Sequence, residues 1–211
     1  MKIKIINGSP KTKKGISSRI IEQMEKLLEG QVETHRVMQL VRAETPQEAL
    51  ADVLAADILL IVFPLYVDSL PAPLIELLTR LESATCHSEA KPKVYAIVSA
   101  AFESSQTFTA LEMIEHFACR AGLPWGYGVG IGTSSLLYNA GGNWEKGMAS
   151  GTYNVLCDMS ANIKEKRNGQ NIYTAPKFPR FLYKAFGNFG FWRGAKRNGV
   201  SNIWARPYIN Q

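Results

Sequence analysis

In residues 57–63 (DILLIVF) an aspartate is followed by six apolar residues without a break, which is the length of a strand. A strand with one solvated face alternates apolar and polar residues, so a run without alternation indicates a strand that is buried on both faces. Such strands are typical of parallel sheets that are covered by helices on both sides. The run therefore predicts a layered α/β fold.

Strand and helix patterns alternate five times along the chain, with crossovers of the length that parallel pairing requires. The predicted strands are residues 2–6, 32–40, 57–63, 94–98 and 125–131, and the predicted helices are residues 17–28, 45–54, 71–81, 109–120 and 144–164. Five strands favour the spatial order 2-1-3-4-5. Ligands of such sheets bind outside the carboxyl ends of the strands, at the switch point flanked by strands one and three.

The loop after the first strand, residues 7–18 (NGSPKTKKGISS), leads directly into a helix. Hydroxyl groups, lysines and a helix N-terminus together favour a bound phosphate, because backbone N–H groups and the helix dipole attract an anion. The loop is not a P-loop, since Ile16 follows Gly15 where that motif needs lysine. An ordinary capped turn with solvated lysines is the alternative.

Two further loops follow the third and fourth strands. Residues 64–73 (PLYVDSLPAP) contain three prolines that stiffen the loop and present Tyr66 beside Asp68 and Ser69, which suits a flat ring system. Residues 99–107 (SAAFESSQT) combine small residues, which permit close approach of a ligand, with Phe102 at their edge. The sequence thus predicts a binding site for a phosphate and a flat ring at one edge of the sheet.

Other kinds of chemistry have little support. The three cysteines are more than thirty residues apart, which disfavours a disulfide framework and a CxxC metal site. A metal site at His35 or His87 is not expected, and no GxSxG motif is present. The glycines of residues 128–132 (GVGIG) lie in the fifth strand and favour close packing or the approach of a cofactor or a partner. No apolar run approaches the ~20 residues of a membrane span, and the turn at residues 7–10 leaves no room for a signal peptide, so we expect a cytoplasmic protein.

The end of the chain differs in composition from the rest. Residues 164–211 hold ten Lys/Arg and one acid, and ten of the 21 aromatic residues lie between Tyr173 and Tyr208. We therefore divide the chain into a domain of residues 1–169 and a basic, aromatic extension of residues 170–211. The extension is expected to pack on the domain or on a second copy in a homodimer, with peripheral contact to an anionic membrane as the alternative. No nucleic-acid motif accompanies the charge.

Three motifs carry a resemblance to a known family: NGSPK followed five residues later by SS, then FPLYVDSLPAPL, then residues 110–132 (ALEMIEHFACRAGLPWGYGVGIG). They are similar to the NAD(P)H-dependent FMN reductases of the flavodoxin-like superfamily, and residues 176–200 resemble the tail of a narrower group within it. The resemblance implies a flavodoxin-like three-layer sandwich with a five-stranded parallel sheet. It also implies an FMN-dependent oxidoreductase that takes hydride from NAD(P)H and reduces a small acceptor: a quinone, nitro compound, flavin or metal ion.

The resemblance also implies which residues bind FMN. Its phosphate is expected at Ser9, Lys11, Ser17 and Ser18, its ring against Pro64, Leu65, Tyr66, Val67, Asp68 and Ser69, and the ring border at Ala100, Ala101 and Phe102. Related proteins often have a Cys-Gly pair where this chain has Ala100 and Ala101. Two alternatives stay open: a flavodoxin-like electron carrier, and a flavin-free binding or membrane-associated module.

Overall fold

A computed structural model describes residues 1–11, 15–86, 88–141 and 143–200. The strands are β1 (Lys2–Asn7), β2 (Gln31–Arg36), β3 (Ile58–Pro64), β4 (Lys93–Ser99), β5 (Trp125–Ile131) and β6 (Ile172–Thr174). The helices are α1 (Ile16–Leu28), α2 (Val37–Val41), α3 (Pro46–Leu54), α4 (Ala72–Thr85), α5 (Phe108–Arg120), α6 (Ser135–Asn139), α7 (Ser150–Lys164) and α8 (Arg180–Arg197), with 3₁₀ turns at Ser104–Thr107 and Gly147–Ala149. Residues 12–14 of the first predicted loop and residues 201–211 of the predicted extension lie outside the described residues.

The strands form one parallel sheet in the order β2-β1-β3-β4-β5-β6. The predicted order of the first five strands is confirmed, but the predicted total of five is wrong. The sixth strand pairs with β5, with Ile172 opposite Val129 and Thr174 opposite Ile131. It is three residues long, which is too short to show a periodic pattern in the sequence.

β3 shows why the sheet needs helices on both faces. Leu59, Ile61 and Phe63 pack into a core with α2, α3, α4 and α5, whereas Ile58, Leu60 and Val62 pack on the other face with α1, α6 and α7. All six side chains are fully buried. Each contributes roughly 1.5–3 kcal/mol through removal from water, so this strand alone strongly favours the three-layer arrangement. The predicted α/β sandwich is confirmed.

Two predicted element boundaries are wrong. The second strand ends at Arg36 rather than at residue 40, because Gln39 accepts a hydrogen bond from the Arg36 backbone N–H and the chain turns into α2. The fifth long helix begins at Ser150 rather than at Trp144. Trp144 is instead a buried core residue of the preceding loop, and its Nε1 donates to the Gly141 carbonyl at 3.2 Å.

By its contacts the chain forms two compact units, Met1–Pro176 and Lys177–Gln211. The first contains the whole sheet, and the second contains α8. None of the described helices is both long and apolar enough to cross a bilayer.

Candidate functional site

The carboxyl ends of four neighbouring strands bring the predicted loops to one edge of the sheet. Gly8 N–H donates to the Val62 carbonyl at 2.8 Å, which ties the first loop to β3. Leu65 N–H donates to the Ser99 carbonyl at 2.9 Å, and Ala100 N–H to the Ile131 carbonyl at 2.8 Å. Adjacent strands lie about 4.8 Å apart, so the three loops start as close neighbours.

Side-chain hydrogen bonds shape the first loop. The Asn7 carboxamide accepts from the Ser9 backbone N–H at 3.1 Å and donates to the Ser18 hydroxyl at 3.3 Å. Ser9 Oγ accepts from the Lys11 backbone N–H at 3.4 Å. A hydroxyl group that accepts a hydrogen bond keeps its own proton for donation, so Ser9 and Ser18 can each donate to a ligand. Lys11 is exposed.

The N-terminus of α1 has the properties of an anion site. The helix follows Gly15, which has no side chain to cap it, and its first turn contains no acidic residue. The hydroxyl of Ser17 is buried and has no hydrogen-bond partner among the described residues. The first N–H groups of a helix lack partners within the helix and carry its positive dipole end. These residues therefore fit a phosphate group.

Two arginines near this loop were missed at the sequence level. Arg36, at the end of β2, donates from Nη2 to the Lys11 carbonyl at 2.7 Å and so holds the loop from the neighbouring strand. Arg19, in the first turn of α1, places its guanidinium 5.2 Å from the ring centroid of Tyr138. The position of Arg36 at a strand's carboxyl end is the signal that could have identified it.

The loop after β3 is a tight and strained turn. Tyr66 and Ser69 exchange two backbone hydrogen bonds of 2.9 and 3.1 Å, and both residues between them, Val67 and Asp68, have positive φ. A β-branched residue is rarely found in the left-handed region, and such strain costs about 1–3 kcal/mol. Val67 is nevertheless 98% exposed, and Tyr66 lies beside it with 37% of its surface exposed. The turn thus presents an apolar tip and an aromatic ring at the edge of the site.

The loop after β4 lies directly on β5. A Cβ atom on Gly132 would lie 2.3 Å from the Ser104 backbone nitrogen, and Thr133 donates from Oγ1 to the Phe102 carbonyl at 2.9 Å. Gly132, which follows β5, therefore permits close packing of this loop, and this is one of the two roles that the sequence predicted for these glycines. Ala100 is buried, whereas Ala101 is exposed and Phe102 is 52% exposed.

An aromatic pair stands near the same edge and was missed at the sequence level. Phe108, the first residue of α5, stacks on Tyr173 of β6 with ring centroids 6.2 Å apart. Burial, with the negative charges of Glu112 and Glu115, raises the pKa of Tyr173. The tyrosine was hidden at the sequence level because it belongs to the unpredicted sixth strand.

A group of acidic and histidine side chains away from the loops surrounds a lysine. Lys4 Nζ contacts Glu33, lies 2.6 Å from Asp52 Oδ2 and lies 3.3 Å from His35 Nε2. His35 therefore has two acidic neighbours: Glu33, two residues before it on β2, and Asp52 of α3, which the fold brings near it. In the part of the chain that the structure describes, this is the one group of three side chains with metal-ligand spacing, and the lysine ammonium already lies among them.

The structure thus places the thirteen predicted residues on three adjoining loops and on the adjoining ends of α1 and β3. An open groove of about 500 Å³ lies at the opposite edge, lined by Met1, Leu28, Glu29, Gly30 and Lys164. It carries none of the predicted residues. The loops at the carboxyl ends of the strands remain the candidate site.

Comparison with known proteins identifies the family and the fold of the chain. A family model described as NADPH-dependent FMN reductase matches residues 1–124. An NADPH-quinone reductase from P. pentosaceus is 16% identical with a TM-score of 0.55, over 77% of this chain and 97% of that one. A flavodoxin from Streptococcus pneumonia TIGR4 is 13% identical with a TM-score of 0.54, over 79% of this chain and 99% of that one. A flavone reductase is 9% identical with a TM-score of 0.57, over 81% of this chain and 66% of that one. At these identities the three structures show a shared fold, and no curated protein matches the sequence.

Proposed function

Since the chain belongs to the NADPH-dependent FMN reductase family, we propose that the three loops bind FMN and serve the reduction of a small, flat acceptor of the quinone type. The family uses FMN with NAD(P)H as the electron donor, and the protein is an NAD(P)H-dependent flavin oxidoreductase. The observation that carries the proposed binding site is the buried hydroxyl of Ser17 at the start of α1, which has no hydrogen-bond partner among the described residues.

The first loop supplies the phosphate contacts in this proposal. Ser9, Ser17 and Ser18 donate from their hydroxyl groups, and Lys11 adds a positive charge. A buried hydroxyl without a partner costs about 1–3 kcal/mol, so an anion that accepts from Ser17 removes this cost. The dipole of α1 favours the same negative charge.

The other two loops hold the ring. The turn from Pro64 to Ser69 supplies the face of Tyr66, and the segment from Ala100 to Phe102 supplies the border. When bound, FMN supplies the hydride chemistry, because a flavin accepts two electrons from a nicotinamide and passes them to an acceptor. The protein's own residues then need only bind, orient and exclude water, so the proposal calls for no acid–base pair at this edge.

The exposed aromatic residues favour a flat organic acceptor over a metal ion. Tyr66 and Phe102 both offer ring surface at the edge. Among the residues that the structure describes, no group of three metal-ligating side chains lies on these loops. Stacking of an aromatic pair is worth about 0.5–1.5 kcal/mol, which is enough to select a quinone or nitro compound.

Steady-state oxidation of NADPH by the FMN-loaded protein tests this proposal. We expect a soluble benzoquinone to be reduced faster than ferric citrate, and Phe102→Ala to lower kcat/KM for the quinone by up to about tenfold. Phe191→Ala, which removes a still more exposed ring on α8, is the control and should leave the rate unchanged. A yellow protein that does not oxidise NADPH would instead favour an electron carrier. The homodimer and the cytoplasmic location remain predictions.

A further inference from the structure

Helix α8 carries large aromatic side chains in contact with water. Phe181 and Phe191 are each 71% exposed, Phe189 is 56% exposed and Trp192 is 41% exposed. Single exposed apolar residues are ordinary on protein surfaces, but a group of this size on one helix indicates a binding surface.

Three of the four aromatic residues lie on one side of the helix. At about 100° per residue, Phe181, Phe189 and Trp192 fall within about 80° of one another around the axis. Phe189 and Trp192 stack with their ring centroids 5.8 Å apart. With a rise of about 1.5 Å per residue, this aromatic stripe runs for about 16 Å along α8.

The charge of the same segment has one sign. Residues 177–200 contain six Lys/Arg and no Asp or Glu. Arg193, Lys196 and Arg197 are exposed in the final turns, and the Lys196 ammonium lies 4.2 Å from the ring centroid of Trp192. The aromatic stripe thus ends in a cluster of cations, so its partner must combine an apolar layer with negative charge.

We propose that α8 binds the surface of an anionic phospholipid bilayer and lies in the plane of the headgroups. Phe181, Phe189 and Trp192 enter the boundary between headgroups and acyl chains, and Arg193, Lys196 and Arg197 contact the lipid phosphates. A single-stranded nucleic acid is less suitable, because its bases stack on separate rings along a basic groove. In α8 the three rings share one side of the helix, and three of the six cations follow them in the final turns.

Sedimentation of the full-length protein with phospholipid vesicles tests this proposal. We expect the protein to sediment with vesicles of phosphatidylglycerol and phosphatidylcholine in equal parts, to be released by added salt, and to stay in solution with phosphatidylcholine alone. The triple variant Arg193→Gln, Lys196→Gln, Arg197→Gln should bind roughly a hundredfold more weakly, because each surface cation contributes about fivefold. Phe189→Ser with Trp192→Ser should weaken binding by at least about tenfold.

Two control variants test whether vesicle binding depends on α8 and not on other exposed side chains. Lys26→Gln removes an exposed cation from α1, and Phe108→Ser removes a half-exposed ring from α5; neither should change vesicle binding. Unaltered melting temperature and flavin content in the α8 variants exclude loss of folding and keep the result independent of the proposed reaction. The proposal would be overturned by equal binding to both vesicle types or by no binding to either. It would also be overturned by tighter binding to an oligonucleotide, or by dimer loss in the aromatic variant without vesicle binding.

Discussion

Val67 adopts a left-handed backbone conformation that valine disfavours. Its φ is 50° and its side chain is 98% exposed, so neither conformation nor burial favours valine there. Left-handed backbone costs an L-residue roughly 1–2 kcal/mol, and asparagine tolerates it best among residues with a side chain. Val67→Asn should therefore raise the free energy of unfolding by about 1 kcal/mol in urea titrations.

Val67→Thr is the matched control for this prediction. Threonine is more polar than valine but keeps the β-branch, so stability should stay close to that of the wild type. Equal gains from Asn and Thr would show that polarity, and not backbone strain, sets the stability of the turn.

At the scale of elements, β5 depends on residues without side chains. A Cβ atom on Gly130 would lie 2.0 Å from Thr107 Oγ1 and 2.8 Å from Tyr173 Cδ1. Thr107 is fully buried and donates to the Ser104 carbonyl, so it has no room to move. Gly130→Ala should cost about 2–3 kcal/mol by overpacking and lower the melting temperature by roughly 5–10 °C.

Gly187→Ala serves as the control for this substitution. A Cβ atom there has no neighbour within 4 Å, so the melting temperature of the sheet domain should not fall. Wild-type stability of Gly130→Ala would mean that the loop after β4 does not rest on β5 as the structure shows.

The elements also show what the sequence could predict. β3 was predicted from its unbroken apolar run, because burial on both faces leaves a signal in six consecutive residues. β6 was not predicted, because a strand of three residues is too short to show a periodic pattern. α2 was predicted as part of the second strand, because a helix of five residues is also too short to show its period. The loops of the site followed from strand order. Arg36 was missed because the second strand was predicted to run to residue 40, so that Arg36 did not fall at its carboxyl end, and valine at position 67 gives no sign of a positive φ.

At the scale of the whole molecule, Lys4 joins β1 to β2 and α3. Burial lowers the pKa of Lys4, but hydrogen bonds to Asp52 and Glu33 outweigh it and hold the pKa above 10.5. The hydrogen bonds from Lys4 hold the pKa values of Glu33 and Asp52 below their usual 4.5 and 3.8. The cluster therefore stabilises the fold in the pH range between the lowered pKa values of Glu33 and Asp52 and the raised pKa of Lys4.

The pH dependence of stability follows from these directions. The stabilisation that Glu33 and Asp52 contribute is fully present above their pKa values in the unfolded protein. It is lost as the pH falls through their lowered pKa values in the folded protein. Stability from Lys4 is present below 10.5 and is lost as the pH rises through its raised value. Lys4→Met should cost about 2 kcal/mol at neutral pH, because the lysine is buried while its partners are half-exposed.

Urea titrations across the pH range check this prediction. The difference in stability between wild type and Lys4→Met should be largest near neutrality and shrink towards both extremes. Lys26→Met, an exposed lysine of α1, should show no such pH-dependent difference. A constant difference at every pH would show that Lys4 acts through packing alone.

The most direct test of the account is a fluorescence titration of the protein with FMN and with riboflavin, which lacks the phosphate. Ser17→Ala with Ser18→Ala should weaken FMN binding by roughly a hundredfold or more, because each hydrogen bond to a charged group is worth about 1.5–3 kcal/mol. Riboflavin affinity should be unchanged, and Ser160→Ala, a buried serine on α7, should affect neither ligand. An unaltered dissociation constant for FMN in the double variant, or an equal loss for both ligands, would contradict a phosphate site at the start of α1.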